Sequence, residues 1–295
     1  IGATTLVNLV GGAGGVTINN GIVTGSRIVL NGSSGGITLS GTALIDPPAG
    51  TVDLTTSGGG IVEAATASIV ATTLISSGGV VGGATLAGTA NSIGTIGGFV
   101  ASTGNVIVVD SSAVNVVGSV GATAGSIALS GSPTITVTGS VDANQSAILT
   151  AGTGGIALGA TSILKGTTVD VSATGGGITQ TAGGSLIAST ILQSTSGVTG
   201  TVSLGASTVN TIAAIGSFAV TSGDFLLGAF GLSGTGGTLS AVGPIVGNNI
   251  SLGAKSAVPI VVTGSLGAGT LLSLVNASGG IDLRAGAILS APTVD

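Results

Sequence analysis

The chain has 295 residues, of which 43% are hydrophobic, 58 are Gly and only 4% are charged, with a net charge of −5. The acidic balance, with Arg27, Lys165, Lys255 and Arg284 scattered along the chain, excludes nucleic acid and anionic membrane surfaces as partners, because both need clustered basic residues. With no Cys and no His, the sequence also excludes disulfides, Cys/His metal clusters and nucleophiles activated by histidine.

Val, Ile and Thr dominate what remains, and branched side chains favour strands. Gly at this density opposes helix, since each interior Gly costs about 1 kcal/mol relative to Ala. Disorder is excluded by high hydrophobicity and low charge. A membrane helix needs about 20 apolar residues in a row, and every such run here is broken by Gly, Ser or Thr. A transmembrane barrel needs aromatic girdles, and Phe99, Phe218, Phe225 and Phe230 are the only aromatic residues. The chain reads as all-β. The opening IGATTLVNLV has neither a basic start nor a cleavage pattern, so any export signal is expected outside this chain.

In chain order, the first 119 residues present short apolar pairs separated by Gly, Ser, Asn and Thr: ITL at 37–39 and VDL at 52–54. The same text then returns. IGAT at 1–4 is answered by VGAT at 120–123, GGITL at 35–39 by GGIAL at 154–158, and TVDLTTSGGGI at 51–61 by TVDVSATGGGI at 168–178. The closest match is NSIGTIGGFVASTG at 91–104 with NTIAAIGSFAVTSG at 210–223, where Asn91, Ile93, Ile96, Gly97, Phe99 and Gly104 recur 119 positions on. A third copy carries VTGSLGAGTLLSLVNASGGIDL at 262–283, which answers residues 137–158. The long repeats are therefore 1–119, 120–244 and 245–295, the last truncated. The offset drifts between 117 and 125, as insertions in turns allow.

Within each copy the apolar residues fall at i and i+2, the period that sends both to one face of a strand. Two or three such strands make a coil of about 20 residues, too small to bury its own apolar face. Stacked coils bury a continuous core and pair their strands in parallel. The expected fold is a parallel β-helix, or β-solenoid, with residues 1–295 forming a single continuous stack. A sandwich would need longer strands and Asn-Gly hairpins, for which Asn20-Gly21 and Asn31-Gly32 are the only material of note.

The nine acids are Asp46, Asp53, Glu63, Asp110, Asp142, Asp170, Asp224, Asp282 and Asp295. A carboxylate pair of glycosidase type or a Ca²⁺ site is the functional reading. Asp53, Asp170 and Asp282 are the middle residues of VDL, VDV and IDL, so they are expected to point to solvent, and Asp53→Asn or Asp170→Asn to change stability by less than about 0.5 kcal/mol. At roughly 4.8 Å per coil, Asp53 and Asp170 are about 30 Å apart, against the roughly 10 Å within which carboxylates share a glycosidic bond. The acids therefore read as solubilising charges. The Gly runs, such as GGAGG at 11–15, lack the Lys-Ser/Thr of a phosphate loop and read as turns with positive φ. Asn31, Asn144, Asn249 and Asn276 stand in N-x-S patterns at about the chance rate for such a composition. Phe99 and Phe218, each closing an I-x-x-I-G-x-F run, read as core. No catalytic, cofactor or metal residue is assigned.

The stretch GGGITQTAGGSLIASTILQSTSGVTGTVSLGASTVNTIAAIGSF, residues 175–218, resembles the repeat regions of filamentous haemagglutinin-like surface proteins of Gram-negative bacteria, and the resemblance extends over essentially the whole chain. It implies a right-handed parallel β-helix, export through the outer membrane by a partner pore protein, and a role in adhesion, biofilm or cell–cell contact. The family's secretion domain is not evident: INNGIVTG at 18–25 lacks the Pro of its Asn-Pro-Asn-Gly-type motif. The expected function is thus that of an extracellular shaft or filament subunit without catalysis or cofactor. Its expected partners are copies of itself, surface glycans or proteins of neighbouring cells, and the secretion pore. A carbohydrate-active enzyme or glycan-binding module is the alternative. An ice-binding solenoid would need a flat face of regularly spaced Thr, and the Thr positions are irregular. Both ends are in register with interior repeats, so the shaft is expected to continue or to stack end to end.

Overall fold

The structure is a computed structural model that describes residues 1–207, 209–228, 238–254, 258–276 and 278–295. Phe230 and Lys255 lie outside the described residues. The fold is all-β, built of parallel sheets stacked as a β-solenoid of about 12 turns of roughly 22 residues, close to the expected coil. Contacts group the chain into two compact units, Ile1–Gln145 and Ser146–Asp295.

In unit 1, the strands Leu6–Val10, Arg27–Asn31 and Thr51–Thr55 pair in parallel and in register. The ladder that begins there runs Val7, Ile28, Val52, Leu74, Ile96, Val116, Val137, and every rung is buried. A second ladder runs Val16, Ile37, Ile61, Ala84, Val106, Ile127. Its rungs are 21 to 24 residues apart in sequence. Like residues stack because adjacent parallel strands in register place equivalent side chains about 4.8 Å apart on the same face.

Unit 2 repeats the design. Ala147, Val169, Leu192, Ile215, Ala241 and Val262 form one buried ladder. Ile156, Ile178, Val202, Phe225, Ile250 and Leu272 form another. Phe218 packs against Phe225, with ring centroids 4.8 Å apart and planes tilted by 54°. Phe99 is equally buried in unit 1, so both repeat-matched aromatics are core.

The alternating pairs behave as read: Ile37 with Leu39, Val52 with Leu54, and Val169 with Val171 are all buried. Asn20-Gly21 makes a corner and no hairpin, since Val16–Asn19 and Ile22–Thr24 each pair in parallel with the next turn. Corners use Gly where the backbone demands it. Gly15, Gly36 and Gly60 have φ of +74°, +79° and +74°, the left-handed region that other residues adopt at a cost. They stack: a Cβ on Gly36 would lie 2.5 Å from the Gly60 carbonyl oxygen, and one on Gly60 2.7 Å from that of Gly83.

Candidate functional site

The acids were expected on the outer face, and for four of them the structure corrects this. Asp53, Glu63, Asp110 and Asp170 are 1%, 2%, 3% and 5% exposed. Asp282 alone of the three strand-centre acids is open, half-exposed beside Arg284 Nε at 2.8 Å. The period-two argument was right that Asp53 turns away from Val52 and Leu54. Its error was to equate the outer face with solvent. The next turn folds over that face, and the carboxylate is spent on holding it.

Asp53 Oδ2 accepts from Ser77 Oγ at 2.7 Å and from Arg27 at 2.9 Å, and Oδ1 accepts from the Ser77 N–H at 3.0 Å. In unit 2, Asp170 Oδ1 accepts from the Thr195 N–H at 3.2 Å and Oδ2 accepts from Gln193 Nε2 at 3.2 Å. Each Asp therefore anchors a backbone N–H one turn later, with the Arg27 guanidinium as a further donor to Asp53 and the Gln193 amide as a further donor to Asp170. Asp224 does the same for the Asn249 N–H at 3.0 Å, at the place where unit 1 uses Asn105 Oδ1 for the Ser126 N–H at 2.9 Å.

Two longer ties cross the turns. In unit 1, Glu63 Oε2 accepts from Asn91 Nδ2 at 2.8 Å and from the Gly88 N–H at 2.9 Å, and Asn91 Oδ1 accepts from the Ile69 N–H at 2.6 Å. In unit 2, Gln180 and Asn210 exchange two amide bonds, both of 2.7 Å, and Asn210 Oδ1 accepts from the Leu186 N–H at 2.9 Å. Gln180 Nε2 also donates to the Gly184 carbonyl at 3.0 Å. Asn91 belongs to the same network as Asp110: it donates to the Val109 carbonyl at 3.1 Å, while Asp110 Oδ2 accepts from the Ile93 N–H at 2.8 Å and Oδ1 accepts from the Ser112 N–H and Oγ, both at 2.7 Å. Burial pushes the Glu63 and Asp110 carboxyls above their ordinary values, and their hydrogen bonds only partly oppose it.

Gln180, Asn91 and Asn210 were not singled out for their side chains. The signal was present: Asn91 recurs as Asn210 inside the best-matched stretch, and Gln180 stands at the repeat position of Glu63. A polar residue repeated among apolar ones marks a buried tie as readily as a ligand site.

Two of the surface grooves have volumes of about 470 Å³ each. One, in unit 2, is lined by hydroxyls of Thr174, Ser194, Ser196 and Ser217 beside Phe218 and Val246. The other, in unit 1, is lined by Asp46, Val70, Thr72, Ser92 and Asn115. Neither Glu63 nor Asp110 lines either groove. Among the described residues, no group of three or more His, Cys, Asp or Glu is placed to hold a metal. No helix of the described residues is long and apolar enough to cross a membrane. The chain matches no protein family, no curated protein and no solved structure.

Proposed function

We propose that the protein is an extracellular structural and adhesive shaft of filamentous haemagglutinin-like type, on or between Gram-negative bacterial cells. The observation that carries this reading is the destination of its polar side chains. Asp53, Asp170, Glu63, Asp110 and Asn210 are buried and bonded to the backbone of neighbouring turns, and the buried Gln180 is bonded to the Asn210 side chain. Groups that would serve chemistry in a β-helix enzyme serve turn-to-turn cohesion here. The low charge and regular ladders suit a long, uniform body in which surface contact is the work performed.

Its partners in this reading are a secretion pore in the outer membrane, glycans or proteins on an opposing surface, and more of the same fold.

Immunogold labelling of intact cells tests the location, and a cell–cell aggregation assay with and without the gene tests the role. Surface label and lost aggregation are the expected results. Label confined to the cytoplasm, or turnover of a polysaccharide by the purified chain, would overturn the proposal.

A further inference from the structure

The two units meet the same packing requirement with different chemistry. In unit 2 the Gln180 side chain uses both of its polar atoms: Oε1 accepts from Asn210 Nδ2, and Nε2 donates to Asn210 Oδ1 and to the Gly184 carbonyl. In unit 1, 117 positions earlier, Glu63 stands for Gln180 and Ala67 for Gly184. Glu63 Oε2 is satisfied by Asn91 Nδ2 and the Gly88 N–H. Glu63 Oε1 is fully buried and has no partner.

What surrounds Oε1 is oxygen. Glu63 Oε1, Asn91 Oδ1 and the Ala67 carbonyl oxygen all lie within 2.9 Å of the point that a Cβ on Gly88 would occupy. Asn91 Oδ1 has the Ile69 N–H as donor, but Glu63 Oε1 has none. Gln180 resolves the same crowding by presenting an N–H. A carboxylate has no hydrogen to present, whereas a carboxylic acid has one.

We propose that Glu63 is protonated in folded unit 1, its Oε1–H taking the place of the Gln180 amide N–H, so that the Glu63–Asn91 tie is a proton-operated clasp. Ionisation releases the proton to water and leaves a buried carboxylate facing the lone pairs of Ala67 and Asn91. The surroundings favour the neutral form. The flanking strands Ile37–Ser40 and Ala84–Leu86 carry no ionisable residue. Asp110 is tied to the same Asn91 network and opposes a further negative charge. Arg27 is engaged with Asp53. Burial raises the Glu63 carboxyl above 4.5, against the hydrogen bonds from Asn91 and Gly88. A raised folded-state value means that the stabilisation is complete below 4.5 and is lost as pH rises through the folded value.

Glu63 is the only Glu in the chain, so ¹³C-glutamate labelling of the intact protein gives one side-chain carboxyl resonance. Its titration midpoint is expected well above the free value. A midpoint at or below the free value would overturn the proposal, whatever the variants do. A reciprocal exchange supplies the second readout. Glu63→Gln should raise hydrogen-exchange protection of the Ile69 and Gly88 amides at neutral pH and leave it unchanged in acid. Gln180→Glu should give the Leu186 amide the pH dependence that it lacks. Each unit by which the carboxyl is raised corresponds to about a tenfold change in protection across the window. Equal protection of wild type and Glu63→Gln at neutral pH would also overturn it.

Discussion

Asn91 and Asn210 hold the same place in the two units. Each Oδ1 accepts a backbone N–H from the residue six positions beyond the buried partner side chain, Ile69 after Glu63 and Leu186 after Gln180, at 2.6 and 2.9 Å. The repeat therefore conserves a polar contact across turns as well as an apolar cross-section. Asn210→Ala strands both the Leu186 N–H and the Gln180 amide in the interior, and unpaired buried groups cost about 1–3 kcal/mol each. A loss of at least about 2 kcal/mol in urea unfolding is expected. A change below about 0.5 kcal/mol would mean that water replaces the side chain at no cost.

Asp53 and Arg27 form an unequal pair: the carboxylate is 1% exposed and the guanidinium 52%. Asp53→Ala removes the charged acceptor of the Ser77 N–H and Oγ one turn on, and hydrogen bonds to charged groups contribute about 1.5–3 kcal/mol, so a loss of about that size is expected. Arg27→Ala removes a partner that solvent already screens, and should cost less than about 1 kcal/mol. Comparable losses from the two substitutions would show that the ion pair, and not the backbone anchor, is what matters.

Phe218 fills the corner between Phe225 and its own turn. Phe218→Ala opens a cavity at a fully buried site, for which about 3–5 kcal/mol is usual. Phe218→Leu should recover most of that loss, since it restores much of the volume. Thermal unfolding of both variants measures the difference.

Gly60 and Gly98 provide a matched test of the corners. Gly60 has φ +74° and no room for a Cβ, whereas Gly98 has nothing within 4 Å of that position. Gly60→Ala is expected to destabilise by more than about 1 kcal/mol. Gly98→Ala should be neutral within about 0.5 kcal/mol. Similar effects at the two sites would remove the stacked-corner argument.

Asp110 adds to the pH response of unit 1. Burial raises its carboxyl above 3.8, opposed by the hydrogen bonds from Ser112 and Ile93. Its contribution is therefore complete below 3.8 and disappears as pH rises through the folded value. Protection of the Ile93 amide, corrected for intrinsic exchange, should fall as pH rises from 3.8 through the folded value. Rising protection over that range would reverse the sign and contradict the burial argument.

The apolar half of the fold was legible because period two and a 119-residue echo are properties of the text itself. Val52, Leu54, Val169 and Val171 point inward wherever strands of that pattern stack. The polar half was misread in two ways: Glu63 and Asp110 stand in phase with the buried Ile61 and Val108, so period two itself places them inward, whereas for Asp53 and Asp170 a single strand says which face a side chain takes and nothing of what later covers it. Ser77, which buries Asp53, lies 24 positions away. Its relation to Asp53 exists only once the turn length is set, and the 21 to 24 residues of a rung vary through corner insertions that composition does not announce.

The matched ties of Glu63 with Asn91 and Gln180 with Asn210 also bear on inheritance. Because both copies present the same ladders and the same buried brace to the turn that follows, a crossover between their coding blocks would join compatible cross-sections. Whole blocks of about 119 codons can then be gained or lost while every rung keeps a partner. A change of length by one such block would preserve the spacing of the two buried asparagines.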